Sequence, residues 1–143
     1  MSTTKLAAAA LTLVVGIGSV AVAPAAWADN ASPTQRPVTA SAAAFNASGV
    51  WDLFQSNRYT VRVNITQDGA GNLFGTASSG GSVGTLEAGA LVNGTSISFN
   101  VRWSNGARGR YEGFLGADRR LSGITFDLNK PSSQATWVTT RTF

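Results

Sequence analysis

From Asn46 onward, apolar and polar positions alternate in short runs, and clusters of Gly, Asn and Asp break the runs every ten residues or so. A period of two puts successive side chains on opposite faces of a pleated strand, so this texture predicts an antiparallel β meander. The stretch "RYTVRVNITQ" (58–67) is the clearest case. Tyr59, Val61, Val63 and Ile65 share one face, and Arg58, Thr60, Arg62 and Asn64 share the other. "TSISFNVRW" (95–103) repeats the pattern with Ile97, Phe99, Val101 and Trp103. Eight strands are expected, over 49–56, 58–67, 73–79, 85–92, 95–103, 108–116, 121–128 and 135–143. The segments between them, "DGAGN", "SGGSVG", "NG", "SNGA", "ADRR" and "NKPSSQ", read as turns and loops. Asn-Gly is the strongest of these signals, because both residues tolerate the positive φ that a tight hairpin needs.

Helix has no foothold, since Gly interrupts nearly every segment and β-branched and aromatic residues dominate. Eight short consecutive strands are best satisfied by closing on themselves, which removes both exposed edges. The expected fold is therefore all-β, an eight-stranded antiparallel up-and-down barrel, with a two-sheet sandwich as the alternative. Gly75, Gly89, Gly109, Gly113 and Gly123 fall inside strands, where a barrel wall bends sharply. The aromatics, among them Trp51, Phe54, Phe74, Phe99, Phe114 and Trp137, are expected to fill the interior.

The N-terminus carries a different pattern. Lys5 is followed by an uncharged apolar run, and Ala26-Trp27-Ala28 then supplies the small-x-small motif of a signal-peptidase site. Residues 1–28 are expected to be a signal peptide, so the mature chain is secreted, with no membrane attachment after cleavage. Residues 29–45, "DNASPTQRPVTASAAAF", show neither period and read as a flexible linker ahead of the domain at 46–143. Cutting residues 1–28 from 143 leaves 115, enough for one domain with one core.

Composition removes several kinds of chemistry. The chain has no Cys and no His. Disulfides, Ser-His-Asp and Cys-His catalysis, and the usual metal ligands are thereby excluded. Beyond Lys5 there are ten cationic residues, nine of them Arg, against seven acidic ones. That balance is too weak and too dispersed for nucleic acid. Asp52, Asp68, Glu87, Glu112, Asp118 and Asp127 are the domain's carboxylates, and no spacing pairs two of them across a cleft. The expectation is a protein that is not an enzyme and uses no cofactor or metal. Glu112 is expected to pair with Arg102 or Arg110 on the surface.

One stretch stands out as a candidate site. "NVRWSNGARGRYEG" (100–113) holds Trp103 and Tyr111 on either side of a turn, with Asn105 and Arg108 between them. These four residues are the candidate lining of one barrel mouth, with a small molecule or glycan as the ligand. The different-class alternatives are a protein–protein module, such as an inhibitor of a secreted hydrolase presenting "SNGARGR" or "NKPSSQ", and a structural envelope-associated domain.

The segments resemble the avidin and streptavidin family of lipocalin-like barrels. "GVWDLFQS" is similar to that family's opening Gly-x-Trp strand, "TQDGAGNLFGTAS" to its second hairpin, and "ISFNVRWSN" to its fifth strand. "RGRYEGFLG" and "ATWVTTRTF" stand where the sixth and last strands would be. The resemblance implies an eight-stranded barrel with Trp103 as one aromatic wall, and Tyr111 and Phe126 in place of two others. It does not carry biotin. Leu53 replaces the Asn that binds the ureido group, Ala77 replaces a Tyr, and the last strand has no Asp. The run from "GRYEGFLG" to "SSQATW" is also similar to small secreted bacterial β-proteins of unassigned function. N-terminal sequencing of the secreted protein is expected to begin Asp29-Asn30-Ala31; a membrane fraction retaining residues 1–28 would contradict it.

Overall fold

The alternation of apolar and polar residues becomes a closed ring of strands. A computed structural model describes residues 41–143; the expected signal peptide and most of the expected linker lie outside the described residues. Nine strands form, β1 (Gly49–Gln55), β2 (Thr60–Gln67), β3 (Leu73–Ser79), β4 (Ser82–Leu86), β5 (Leu91–Asn93), β6 (Ser96–Trp103), β7 (Arg108–Leu115), β8 (Arg120–Asp127) and β9 (Lys130–Thr142). All pairings are antiparallel, and no helix occurs among the described residues.

The ring has eight positions, because β4 and β5 are two halves of one strand. Both pair with β6, β4 through Gly84↔Trp103 and β5 through Val92↔Ile97. Between them the chain leaves the ladder over residues 87–90, while Leu73 N–H still donates to Ala90 O at 2.9 Å. The strand expected over 85–92 is thus real but interrupted, with Gly89 in the left-handed region at φ 91°. Closure comes from β9 on β1, at Phe54↔Val138 and Gln55↔Trp137. The fold is an all-β, closed eight-stranded antiparallel barrel.

Two other segments differ from expectation. All of "NKPSSQ" but Asn129 belongs to β9 rather than to a loop, because Lys130 already pairs with Asp127 and Gln134 with Phe126. The residues between are accommodated by a register shift. Phe45, placed in the linker by composition, is only 6 % exposed and joins the core.

Phe45 seals one end of the barrel. Its ring meets Phe143 edge-on at 5.7 Å, and Trp51 also meets Phe143 edge-on at 5.2 Å. The Arg141 guanidinium covers Phe143 at 4.8 Å. Gln67 fastens this plug, with Oε1 accepting from Ala47 N–H at 2.7 Å and Nε2 donating to Phe45 O at 3.1 Å. Trp51 Nε1 donates to Ala47 O at 2.9 Å.

The interior is filled by Leu53, Val61, Val63, Ile97, Phe99, Val101 and Leu121, all nearly inaccessible. Not every aromatic contributes. Phe54, Phe74 and Phe114 fall on outward positions of their strands and are 40–62 % exposed. The period of two fixes their face, and hydrophobicity does not override it. Where the β8–β9 register shifts near Arg120, the Thr139 hydroxyl bonds both the Leu121 N–H (3.0 Å) and the Leu121 carbonyl (3.3 Å).

Trp137 is the largest fully buried side chain, and glycines make its room. Gly113, Gly123 and Trp137 form one cross-strand row. A methyl on Gly113 would stand 2.5 Å from the indole, which its Nε1 bond to Ile124 O at 2.9 Å holds in place. Gly113→Ala is therefore expected to destabilise the domain by about 1–3 kcal/mol through overpacking. Chemical denaturation measures this; an unchanged midpoint would mean that the indole is free to move.

Candidate functional site

The end of the barrel opposite the plug remains open. A cavity of about 500 Å³ sits there, built from the end of β1, the start of β2, the β3–β4 turn, the β6–β7 turn and the β8–β9 hairpin. Trp103, Tyr111 and Asn105 all line it. Three of the four candidate residues are thus brought together.

Arg108 is the exception. Strand alternation puts it on the outer surface, where Nη2 lies 2.7 Å from Glu87 Oε2. Arg102 reaches the same carboxylate at 3.2 Å, so one acid clasps two cross-strand arginines, paired Arg102↔Arg108. Arg110 lies beside Glu112 at 3.0 Å, a pair along one strand rather than across two. It also donates to Asn100 Oδ1 at 3.2 Å. The arginines that drew attention in the sequence are turned away from the mouth.

Trp103 is partly buried, and two glycines shape its place. Gly84 faces it across β4 and β6. A methyl there would meet Val101 Cγ1 at 2.5 Å and the indole at 3.1 Å. A methyl on Gly109 would meet the Tyr111 ring at 2.9 Å and Trp103 Nε1 at 3.4 Å. The absence of both side chains lets the indole lie against the wall instead of being forced outward.

Tyr111 forms the floor. Its ring is stacked on Phe99, centroids 4.9 Å apart and 8° from parallel. One face is therefore occupied, and the hydroxyl reaches the cavity. Burial pushes the phenol above its usual range, while bonds with the side chains of Thr125, Gln55 and Trp103 pull the other way. The hydroxyl stays neutral and works as both donor and acceptor.

The upper wall is polar. Gln55, Asn57, Ser79, Ser82 and Gln134 contribute amides and hydroxyls, and Asp127 is the one carboxylate among the described residues that line it. Several of these are held by turn geometry. Asn57 Oδ1 accepts from Tyr59 N–H at 3.2 Å, and Asn105 Oδ1 from Ala107 N–H at 3.1 Å. Gln134 Nε2 donates to Pro131 O at 3.0 Å, and Asp127 Oδ1 accepts from Asn129 N–H at 2.8 Å. Asn129 Nδ2 then ties the β8–β9 hairpin to Gly106 O of the neighbouring turn at 3.2 Å. Sequence reading missed Gln55, Thr125, Asp127 and Gln134. Their signal was only register, which is invisible until the ring closes.

Among the described residues, no three acidic side chains gather into a set able to hold a metal ion. The Glu87 clasp is structural, and its carboxyl is held below the ordinary range, chiefly by the bond from Arg108. Asp52 is lowered in the same way by Arg62, at 2.8 Å. A lowered folded pKa contributes stability above the unfolded pKa and loses it as pH falls through the folded value. The melting temperature is expected to drop on acidification from about pH 5 to about pH 3, and Glu87→Gln is expected to flatten that drop. An acid limb equally steep in the variant would refute the clasp. In comparisons of the chain with protein-family models, with curated proteins and with solved structures, nothing matches.

Proposed function

We propose that the protein is an exported, non-catalytic barrel that binds a small molecule or glycan at its open mouth. The observation that carries this reading is the asymmetry of the two ends. Phe45, Trp51 and Phe143 pack one end shut, whereas the other keeps a cavity of about 500 Å³ walled by Trp103, Tyr111 and Asn105. A concave site with aromatic surface and a few convergent polar groups is the usual form of a ligand pocket.

The likeness to avidin is extended to the use of the mouth and not to biotin. Leu53 and Ala77 face the interior as apolar residues, at 0 % and 4 % exposure. The last strand turns Ala135, Trp137 and Thr139 inward and offers no carboxylate. Without polar partners at those points a ureido group would be left unpaired, at a cost of about 1–3 kcal/mol per buried group. The inhibitor alternative has less support, because Arg108 and Arg110 of "SNGARGR" are engaged by Glu87 and Glu112.

Native mass spectrometry of protein purified from its own host is expected to show a bound small molecule, absent from the Trp103→Ala variant. Trp103→Ala should also cost less stability than Trp51→Ala, which removes a ring only 3 % exposed. The latter falls in the range of about 3–5 kcal/mol for a buried aromatic. Equal losses from the two, with no adduct on the parent, would make Trp103 core and leave the mouth without a ligand role.

A further inference from the structure

We infer that the ligand of this mouth is an uncharged, hydroxyl-rich ring, a neutral sugar residue at the end of an oligosaccharide, with one apolar face against Trp103. This rests on the mouth being a binding site and adds the chemical class of what it takes.

Charge argues first. Among the described residues no Lys or Arg lines the cavity, and the lining carries one carboxylate, Asp127. The nearby guanidiniums of Arg102 and Arg108 are committed outside the wall to Glu87, and Arg110 to Glu112. A carboxylate or phosphate entering the mouth would lose its hydration, meet no cation and face a like charge.

The polar groups argue second. Asn57 and Asn105 each use Oδ1 on a backbone N–H, and among the described residues no bond engages their Nδ2. Gln134 is the reverse, with Nε2 committed to Pro131 O and Oε1 without a partner among the described residues. Donors and acceptors are thus fixed around the rim before any ligand arrives. Each sugar hydroxyl both gives and takes a hydrogen bond, so one ring can satisfy both kinds. Below them the Tyr111 hydroxyl, Gln55 and Thr125 repeat this dual chemistry.

The aromatic surface argues third. Tyr111 is stacked on Phe99 through one face, and Trp103 lines the cavity beside it, with Tyr59 and Phe126 as further aromatic lining. A sugar ring presents its C–H groups mainly on one face and its hydroxyls around the edge, which matches an indole wall at Trp103 beneath a polar rim.

The experiment is a glycan array of neutral hexose and N-acetylhexosamine oligomers beside uronate and sialylated counterparts, followed by tryptophan-fluorescence titration with the strongest oligosaccharide. Binding should be confined to neutral glycans. Trp103→Ala should weaken it by about tenfold or more, Gln55→Ala should weaken it less, and outer-face Arg62→Ala should leave it unchanged. Asp127→Asn should narrow the gap between neutral and acidic ligands. Preference for acidic glycans overturns the inference. So does an array without hits; if native mass spectrometry then shows another adduct lost in Trp103→Ala, the mouth stands and only the sugar class falls.

Discussion

The structure depends on filling a ring of fixed girth. Eight paired strands enclose a cylinder whose width is set by the ladder, so the volume of the inward residues must match it. This chain meets the constraint by setting two large indoles beside glycines. Trp137 lies over Gly113 in a row that includes Gly123, and Trp103 lies between Gly84 and Gly109. Gly84, Gly109 and Gly113 are the complement of these two tryptophans and not defects in a β pattern. The same pairing sets where the filling stops. Below Tyr111 the interior is solid with Phe99, Leu53 and the β2 valines; above it the side chains thin to a cavity.

With no cysteine to staple it, the domain secures its ends by other means. The plug uses three aromatic rings and an arginine stacked on one of them, and Gln67 supplies the polar fastening. On the outside wall, Asp52 with Arg62, and Glu87 with Arg102 and Arg108, join neighbouring strands. Such exposed pairs contribute little individually. Their arginines stand at outward positions of the strands, so among the described residues amides, hydroxyls, aromatic rings and a single carboxylate line the mouth.

The fold was legible because strand alternation is a local property. In β2 the inward set Val61, Val63 and Ile65 follows from the sequence alone, as does the inward set Ile97, Phe99 and Val101 of β6, and eight such runs have few ways to hide their edges. The same period put Phe54, Phe74 and Phe114 outside, so hydrophobicity was a poorer guide than parity for those three. Local reading faltered where a non-local partner decided the outcome. Phe45 sits in a stretch without period and becomes core because Phe143, at the far end of the chain, lies beside it. Lys130 to Gln134 carry loop composition and become strand because β8 is there to pair with them.

For the site, the sequence by itself determined which chemistry was absent, and it marked Trp103, Tyr111 and Asn105, since a hairpin brings residues on either side of its turn together. It could not place Arg108, because one step along a strand exchanges mouth for outer wall and only the β6–β7 register with Glu87 nearby settles the side. Nor could it assemble Gln55 and Thr125 around the Tyr111 hydroxyl, or bring Gln134 to the same cavity. Those residues come from β1, β8 and β9, and they meet only because β9 closes the ring on β1. Alternation is written residue by residue, whereas a mouth is a property of the closed cylinder, fixed by register and closure.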